Sequence, residues 1–301
     1  MRKTGLVTVL YKSDNVLEGF FKSLSIQDYS NYILYLIDNS PSPQTNSLIH
    51  TLQEKYRIEE KLRYIANANN VGVAEGNNQG ILMAIKDNCD YVLLLNNDIE
   101  FRQPYLLSAM VKLAADRHEK IIVPKIFFSD SRTIWTAGGA LDKKRALTIH
   151  YGEGQPDGPQ FSTPGYCEYA PTCFMLIDRE VFERTGLMDA NYFVYYDDTD
   201  FIYRAGKRGY RIFYEPGLTI DHKVGNSSGG FSNTYIYYYN RNRLYFIVRN
   251  FPFLLALRAL AYYMASRIVS FFKLNASQRK VQWKGIRDGI VLCFKKRKVQ
   301  Y

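Results

Sequence analysis

Acid is nearly absent from the last fifth of this 301-residue sequence: residues 241–301 hold fourteen Lys and Arg against one carboxylate, Asp288. The first 240 residues are slightly acidic, so the net charge of +10 belongs to the C-terminal segment. A field confined to one end asks for an anionic surface there. No nucleic-acid reader motif accompanies it, and no nucleic-acid partner is expected. Cysteine is scarce as well. Cys89, Cys167, Cys173 and Cys293 form no CxxC pair and no ladder of short spacings, which reads as reduced thiols in a cytosolic protein. The first ten residues have too short an apolar run and no small-residue cleavage site for a signal peptide. Long uncharged runs are missing too: Arg258 and Arg267 interrupt the windows that would span a bilayer, so no transmembrane segment is expected.

What is present is 47% hydrophobic, with length enough for one large domain or two smaller ones. Residues 91–98 read Tyr-Val-Leu-Leu-Leu-Asn-Asn-Asp, an apolar run of strand length that stops at two amides and a carboxylate. Such a run suits a strand buried on both faces of a mostly parallel sheet. Ligands of open α/β sheets bind outside the carboxyl ends of strands, which puts Asp98 where a divalent cation and a phosphate-bearing ligand would meet. Alone, the segment reads equally as a polar turn. Strand patterns at 6–11, 33–37 and 62–65 alternate with helical patterns at 15–26, 47–56 and 77–86, the signature of βαβ units. The second strand ends in Asp38, whose carboxylate suits the imide N–H of uracil or thymine.

The segment from Asn70 to Gly80 lacks the GxGxxG spacing and follows the third strand, which excludes a dinucleotide fingerprint. Its glycines, Gly72 among them, allow close backbone approach to a ligand, with Asn70 and Asn78 as amide contacts, or build a helix N-cap loop. Residues 129–165 read as loops around a short hairpin. A strand is expected over 170–177, a helix from Asp178 to Gly186, a helix over 201–207, and two strands over 211–214 and 217–222. Before the second helix, aromatic residues from Tyr192 run into Asp197, Asp198 and Asp200. Asp200 and Arg204 stand at i,i+4 and read as an ion pair.

Together these segments resemble family 2 of the glycosyltransferases, inverting enzymes of the GT-A fold, and its rhamnosyltransferase-like bacterial members. The matching stretches are Val7 to Ser13, Ile37-Asp38-Asn39-Ser40, Asn70 to Gly80, Leu95-Asn-Asn-Asp98, Tyr195 to Tyr210, and His222. The resemblance implies a Rossmann-like, mostly parallel sheet flanked by helices, with a nucleotide-binding half at about 1–125 and an acceptor half at about 126–240. It implies donor contacts from Tyr11, Asp38, Asn70, Gly72, Asn78, Asn96, Asn97 and Asp98. The family's Asp-x-Asp metal motif is here Asn96-Asn97-Asp98, leaving one acid; Mg²⁺ or Mn²⁺ is implied on Asp98, with His222 as a second contact. Of the two neighbouring acids, Asp198 is expected to be the base and Asp197 the runner-up. Trp135, Gly138 and Gly139 fall where the family shapes its sugar pocket, and Thr172 departs from a frequent Gly. The implied reaction moves a rhamnose-, galactose- or glucose-type sugar from a UDP- or dTDP-sugar to a polyprenyl-diphosphate-linked saccharide in bacterial surface-polysaccharide synthesis.

In the C-terminal segment, Leu257, Leu260, Ala261, Met264, Ile268, Phe271 and Phe272 recur at helical spacing opposite Arg258, Tyr262, Ser266, Ser270 and Lys273. With the cluster Lys295 to Lys298, this reads as basic, amphipathic helices over 241–301, lying on an anionic membrane surface at the cytoplasmic face or packing on the catalytic domain. Homo-oligomers are compatible with the sequence. A non-catalytic sugar- or nucleotide-binding module on a membrane scaffold is the competing class. Retention of Asp98, Asp197, Asp198 and His222 argues against it. A nucleotidyltransferase is disfavoured because no glycine-rich, basic phosphate loop follows the first strand.

Overall fold

A computed structural model of the protein describes residues 2–223 and 232–299. The first half alternates as expected: β1 (Thr4–Leu10), α1 (Asp14–Ser25), β2 (Tyr32–Asp38), α2 (Pro43–Tyr56), β3 (Leu62–Ala66), α3 (Val73–Lys86) and β4 (Tyr91–Leu95). β5 (Ile99–Glu100), α4 (Leu106–Arg117) and β6 (Ile121–Phe128) follow. Then come β7 (Ile134–Thr136), the hairpin β8 (Gly139–Asp142) and β9 (Leu147–His150), β10 (Gly165–Cys167), β11 (Phe174–Asp178) and α5 (Arg179–Thr185). The chain continues through α6 (Asp197–Lys207), β12 (Ile212–His222), α7 (Asn233–Asn250), α8 (Phe253–Lys273) and α9 (Ala276–Cys293).

The main sheet has the order β10-β12-β6-β11-β4-β1-β2-β3, with β5 on β12 and β7 on β6. β4, β1, β2 and β3 run parallel, as do β6 and β12, while β11 is antiparallel to both its neighbours. The apolar run of β4 is buried along its whole length because helices cover both faces. α1, α2 and α4 close one side with Phe20, Ile49 and Met110. α3, α5 and α6 close the other with Ile81, Phe182 and Phe201. A Cβ at Gly80 would lie 2.4 Å from Val7 Cγ1, so α3 sits unusually close on β1.

Several elements differ from the sequence expectation, each for a physical reason. The strand expected from Ala170 begins at Phe174; Pro171 has no N–H for a ladder, and residues 171–173 line a cavity instead. The two strands expected over 211–222 are one, β12, bulged between Glu215 and Thr219. α6 opens at Asp197 rather than Phe201, with three acids in its first turn, where the helix dipole favours negative charge.

α7, α8 and α9 form a third cluster around Tyr192, Tyr196, Tyr245, Phe246 and Tyr263. The division expected at residue 240 therefore falls inside α7. α9 lies so near α7 that a Cβ at Gly285 would come within 2.6 Å of the Tyr237 carbonyl oxygen. After α9 the basic tail returns to the body: Lys298 N–H donates to Asp189 Oδ1 (3.1 Å), and Arg297 donates to Asn250 Oδ1 (2.9 Å) and stands 3.5 Å from Asp200. Asp200 is fully buried and also accepts from Arg204 (2.7 Å), Asn250 (2.8 Å) and Tyr192 (3.1 Å). The anticipated i,i+4 pair is thus the centre of a network joining α6, α7 and the tail.

α8 departs furthest from expectation. It is long and apolar enough to cross a bilayer by length and composition, although its two arginines had argued against that. Its apolar residues also point the other way from a packed helix. Phe253, Leu254, Leu257, Met264, Ile268, Val269 and Phe272 are exposed, while Tyr263, Arg267 and Ser270 face the body, Arg267 donating to Asn240 Oδ1 (2.7 Å) and Ser270 to Gln282 (2.7 Å).

Because the Asp200 carboxylate faces two guanidinium groups in a buried site, Asp200→Asn leaves uncompensated charge and should cost about 3–5 kcal/mol of stability in denaturant unfolding. A variant as stable as the parent would show that the network does not hold α6.

Candidate active site

Two strand ends create the first half of the site. β12 runs antiparallel to β5, setting His222 opposite Ile99 and Asp221 opposite Glu100. This register and the Lys223 N–H to Asp98 carbonyl bond (2.8 Å) bring residues 124 apart in sequence together: His222 Nε2 lies 3.1 Å from Asp98 Oδ1. His222 is buried with its Nδ1 unpartnered among the described residues, and its ring stands edgewise on Trp135, centroids 4.4 Å apart. One carboxylate and one imidazole facing a cavity make an open, two-ligand set. Two protein ligands fit a divalent cation only if phosphate oxygens and water complete its shell, since the described residues hold no group of three His, Cys, Asp or Glu.

The second half comes from the start of α6. Phe193, Tyr195 and Tyr196 all have positive φ, at 65°, 64° and 66°, a region bulky residues seldom occupy. The loop is held by α7. Asn242 Nδ2 donates to the carbonyls of Tyr192, Val194 and Tyr195 at 2.9, 2.7 and 2.8 Å, and Arg241 donates to those of Asn191 and Tyr192 at 2.6 and 2.7 Å. Asp197 and Asp198 follow as the first helical residues.

Their surroundings separate them. Asp197 is buried, and burial with the neighbouring Asp198 charge pushes its carboxyl up to about 8. Asp198 is partly open to the cavity. Its Oδ2 accepts from the Tyr169 hydroxyl at 2.6 Å, and its Oδ1 from the Thr199 N–H at 2.6 Å and the Thr199 hydroxyl at 3.1 Å.

A cavity of about 580 Å³ joins the halves, lined by Asn96, Asp98, Trp135, Thr172, Asp197, Asp198 and His222. Sequence reasoning missed several other lining residues, including His150, Glu153, Tyr169, Tyr235 and Tyr239. No motif marks them; only folding gathers them. His150 stands edgewise on Trp135 at 4.9 Å, and burial lowers its pKa although Glu153 and Asp198 pull the other way.

Not every expected donor contact reaches this cavity. Tyr11, half exposed past β1, Asp38 at the end of β2 and Asn70 before α3 share the same carboxyl edge of the sheet but lie outside the lining. Asp38 is buried and accepts from the Ser40 N–H (2.8 Å) and the Tyr64 hydroxyl (2.7 Å), which fixes it as an acceptor with lone pairs to spare. Three of the expected contacts are engaged within the protein. Asn78 clamps the Met188 backbone, donating at 2.8 Å and accepting at 3.0 Å. Asn97 is turned inward and donates to the Val9 carbonyl at 2.8 Å. Gly72, at φ 88°, makes way for Phe193, which would lie 2.6 Å from a Cβ. Asn70 accepts from the Gly72 N–H at 2.9 Å, an Asx-type turn just before α3, whose N-cap position Gly72 carries no side-chain capping bond. Gly138 and Gly139 shape the β8 edge without lining the cavity.

The sequence pattern of Glycosyl transferase family 2 matches residues 6–186, more than half of the chain. The chain belongs to glycosyl transferase family 2. It is 24% identical over 271 residues to the dTDP-rhamnosyl transferase RfbF of Shigella flexneri, covering 90% of this chain and 82% of that protein. It is 24% identical over 271 residues to the low-salt glycan biosynthesis hexosyltransferase Agl10 of Haloferax volcanii, covering 88% and 81%. The mannosyltransferase PcManGT from Pyrobaculum calidifontis, solved in complex with GDP-Man and Mn²⁺, matches with a TM-score of 0.58 at 14% identity, covering 97% of this chain and 86% of that one. The protein is a glycosyltransferase of the GT-A fold. The matched stretch includes Asp38 and Asp98 and ends before Asp197, Asp198 and His222.

The buried Asp197 predicts how stability varies with pH. Its folded pKa lies above the unfolded value, so its stabilising share is complete below about pH 4 and declines as pH rises towards about 8. Asp197→Asn removes that slope, and its stability relative to the parent should climb between those limits in denaturant melts. Parallel curves for the two proteins would contradict the assignment.

Proposed function

We propose that this family 2 enzyme transfers a rhamnose-, galactose- or glucose-type sugar, with inversion, from a UDP- or dTDP-sugar to a lipid-linked saccharide of a bacterial surface polysaccharide. The observation that carries the reading is the opposition, across one cavity, of the Asp98 and His222 pair and a partly open carboxylate, Asp198. Asp198 takes the proton of the acceptor hydroxyl as its oxygen attacks the anomeric carbon. The bond from that carbon to the diphosphate oxygen breaks, and its electron pair leaves with the nucleoside diphosphate. Asp197, buried with a raised pKa, holds a proton near neutral pH and spares Asp198 a second adjacent negative charge. Tyr169 and Thr199 fix the Asp198 carboxylate by hydrogen bonds. A divalent cation on Asp98 and His222 would supply positive charge for the departing diphosphate. RfbF's dTDP-rhamnosyl designation favours a dTDP-sugar among the donors, and aromatic rings of Trp135, Tyr195, Tyr235 and Tyr239 suit sugar faces in the cavity.

Asp198→Asn keeps the shape and removes the base, so transfer from dTDP-rhamnose or a UDP-hexose should fall about a hundredfold or more while donor affinity persists. EDTA should abolish transfer and Mn²⁺ restore it. If Asp197→Asn shows that loss and Asp198→Asn does not, the two roles exchange.

The second part of the proposal is placement: peripheral association with the cytoplasmic face of the plasma membrane. It is supported by the outward apolar face of α8 and by cations beside it. Lys143, Lys144 and Arg145 occupy the β8–β9 turn, with the Arg145 guanidinium 5.3 Å from the Tyr262 ring centroid on α8. Lys and Arg near an anionic leaflet contribute about 1 kcal/mol each, reinforced by apolar burial. Replacing Leu257, Ile268 and Phe272 by Ser should reduce sedimentation with phosphatidylglycerol vesicles at least tenfold, and high salt should weaken the parent's binding. Parent chain that resists both salt and alkaline carbonate would instead indicate that α8 spans the bilayer.

A further inference from the structure

A second and larger cavity, about 870 Å³, lies behind the first and shares only Tyr169 and Thr199 with it. It runs along α6 from Thr199 past Tyr203 and Lys207 to Arg211, under the β8–β9 hairpin and the corner where α7 meets α8. Its size suits a small-molecule site. Apart from those two shared residues, the mechanism above uses none of it.

Its lining combines three chemistries. Lys143, Lys207 and Arg211 face it with Glu168 as the single acid. Among the described residues only Lys143 of these has an ion pair, to Glu168 at 3.5 Å. Lys207 donates to the Asn250 carbonyl (3.0 Å), and Arg211 lies over the Tyr166 ring, 3.4 Å from its centroid, with no ion pair among the described residues. These cations therefore remain available to an anion. Aromatic rings of Tyr151, Tyr166, Tyr203 and Tyr210 form the walls. The third component is at the mouth. Phe251, Pro252 and Leu255 line it, and the adjoining Phe253 and Leu254 are 79% and 73% exposed, continuous with the outward face of α8.

A ligand matched to all three is an amphiphile: an anionic head, a polar ring-bearing portion and a long apolar chain. We propose that this groove is the anchoring site of a prenyl-diphosphate-linked saccharide, with the diphosphate held by Lys143, Lys207 and Arg211. The chain leaves over Phe253 and Leu254, and the saccharide extends toward the wall of Tyr169 and Thr199 that backs Asp198. The inference rests on the lipid-linked acceptor proposed above and assigns it a place distinct from the donor's diphosphate.

Farnesyl diphosphate, farnesol and inorganic pyrophosphate serve as probes in calorimetry, with EDTA present and the donor site filled by excess UDP. Farnesyl diphosphate should bind the parent at least tenfold more tightly than either fragment. The triple replacement Lys143→Ala, Lys207→Ala, Arg211→Ala should weaken it at least tenfold, with UDP affinity as the check on folding. Leu255→Trp, which fills the mouth without touching charge, should do the same. Pyrophosphate binding as tightly as farnesyl diphosphate would reduce the groove to a plain anion site and overturn the proposal. So would binding unchanged in both variants. Transfer assays separate this from failure of the acceptor reading. A parent that uses a soluble saccharide as well as its lipid-linked form defeats that reading, whereas a lipid preference retained by the variants defeats the groove alone.

Discussion

The constraint on which the site depends is the restraint of the aromatic loop before α6. Three non-glycine residues in the left-handed region cost on the order of 1–3 kcal/mol each, and no local sequence preference favours Phe193, Tyr195 and Tyr196 there. The offset comes from α7: the buried Asn242 amide donates to the loop carbonyls of Tyr192, Val194 and Tyr195, and Arg241 donates to those of Asn191 and, again, Tyr192. Tyr192 and Tyr196 are buried in the same cluster as Tyr245 and Phe246. Without these contacts the loop would relax, and the first turn of α6 would no longer present Asp198 to the cavity. α7 is therefore part of the machinery that aims the carboxylates, although it lies beyond the stretch matched by the family pattern.

The same turn shows how environment assigns different work to identical side chains. Three aspartates fall within four positions. Asp200, fully buried, is balanced by Arg204 and Arg297 and ties the helix to the tail. Asp197 is buried without an ion pair among the described residues, and its carboxyl is pushed up to about 8. Asp198 is partly open and accepts from two hydroxyls and a backbone N–H. Burial and partner, not residue type, divide structural charge, proton reservoir and exposed carboxylate.

What the sequence made legible was whatever depends on local pattern. Apolar runs ending in acids located the carboxyl edge of the sheet, and the order of segments pointed to the GT-A fold. Orientation was illegible. Asn97 shares a motif with Asn96 and Asp98, yet a β-strand exit sends successive side chains to opposite sides, and Asn97 turns inward while Asn96 and Asp98 face the cavity. β6 has Pro124 at its centre, normally a sign against an interior strand. The missing N–H is tolerated because Pro124 pairs with Glu215 where β12 bulges. Tyr169 and His150 carry no motif and meet Asp198 and Trp135 only through hairpin and sheet pairing.

The C-terminal helices illustrate a different limit. Periodicity identified α8 as amphipathic but could not say which side faces the protein. A soluble packed helix would bury Leu257, Met264, Ile268 and Phe272; here the body instead receives Tyr263, Arg267 and Ser270, each with a hydrogen bond inside the helical cluster. Tyr263, Arg267 and Ser270 turn inward because α7 and α9 offer them amides and carbonyls, while Arg258, Tyr262 and Lys273 share the outer surface with the exposed apolar side chains. The tail makes the complementary point. Its backbone and Arg297 are committed to Asp189, Asn250 and Asp200, so its charge is not a free arm. Any surface that α8 and Lys143 to Arg145 meet must therefore be met by the catalytic body as one unit, which leaves the mouth of the larger groove at the edge of that surface rather than at the end of a tether.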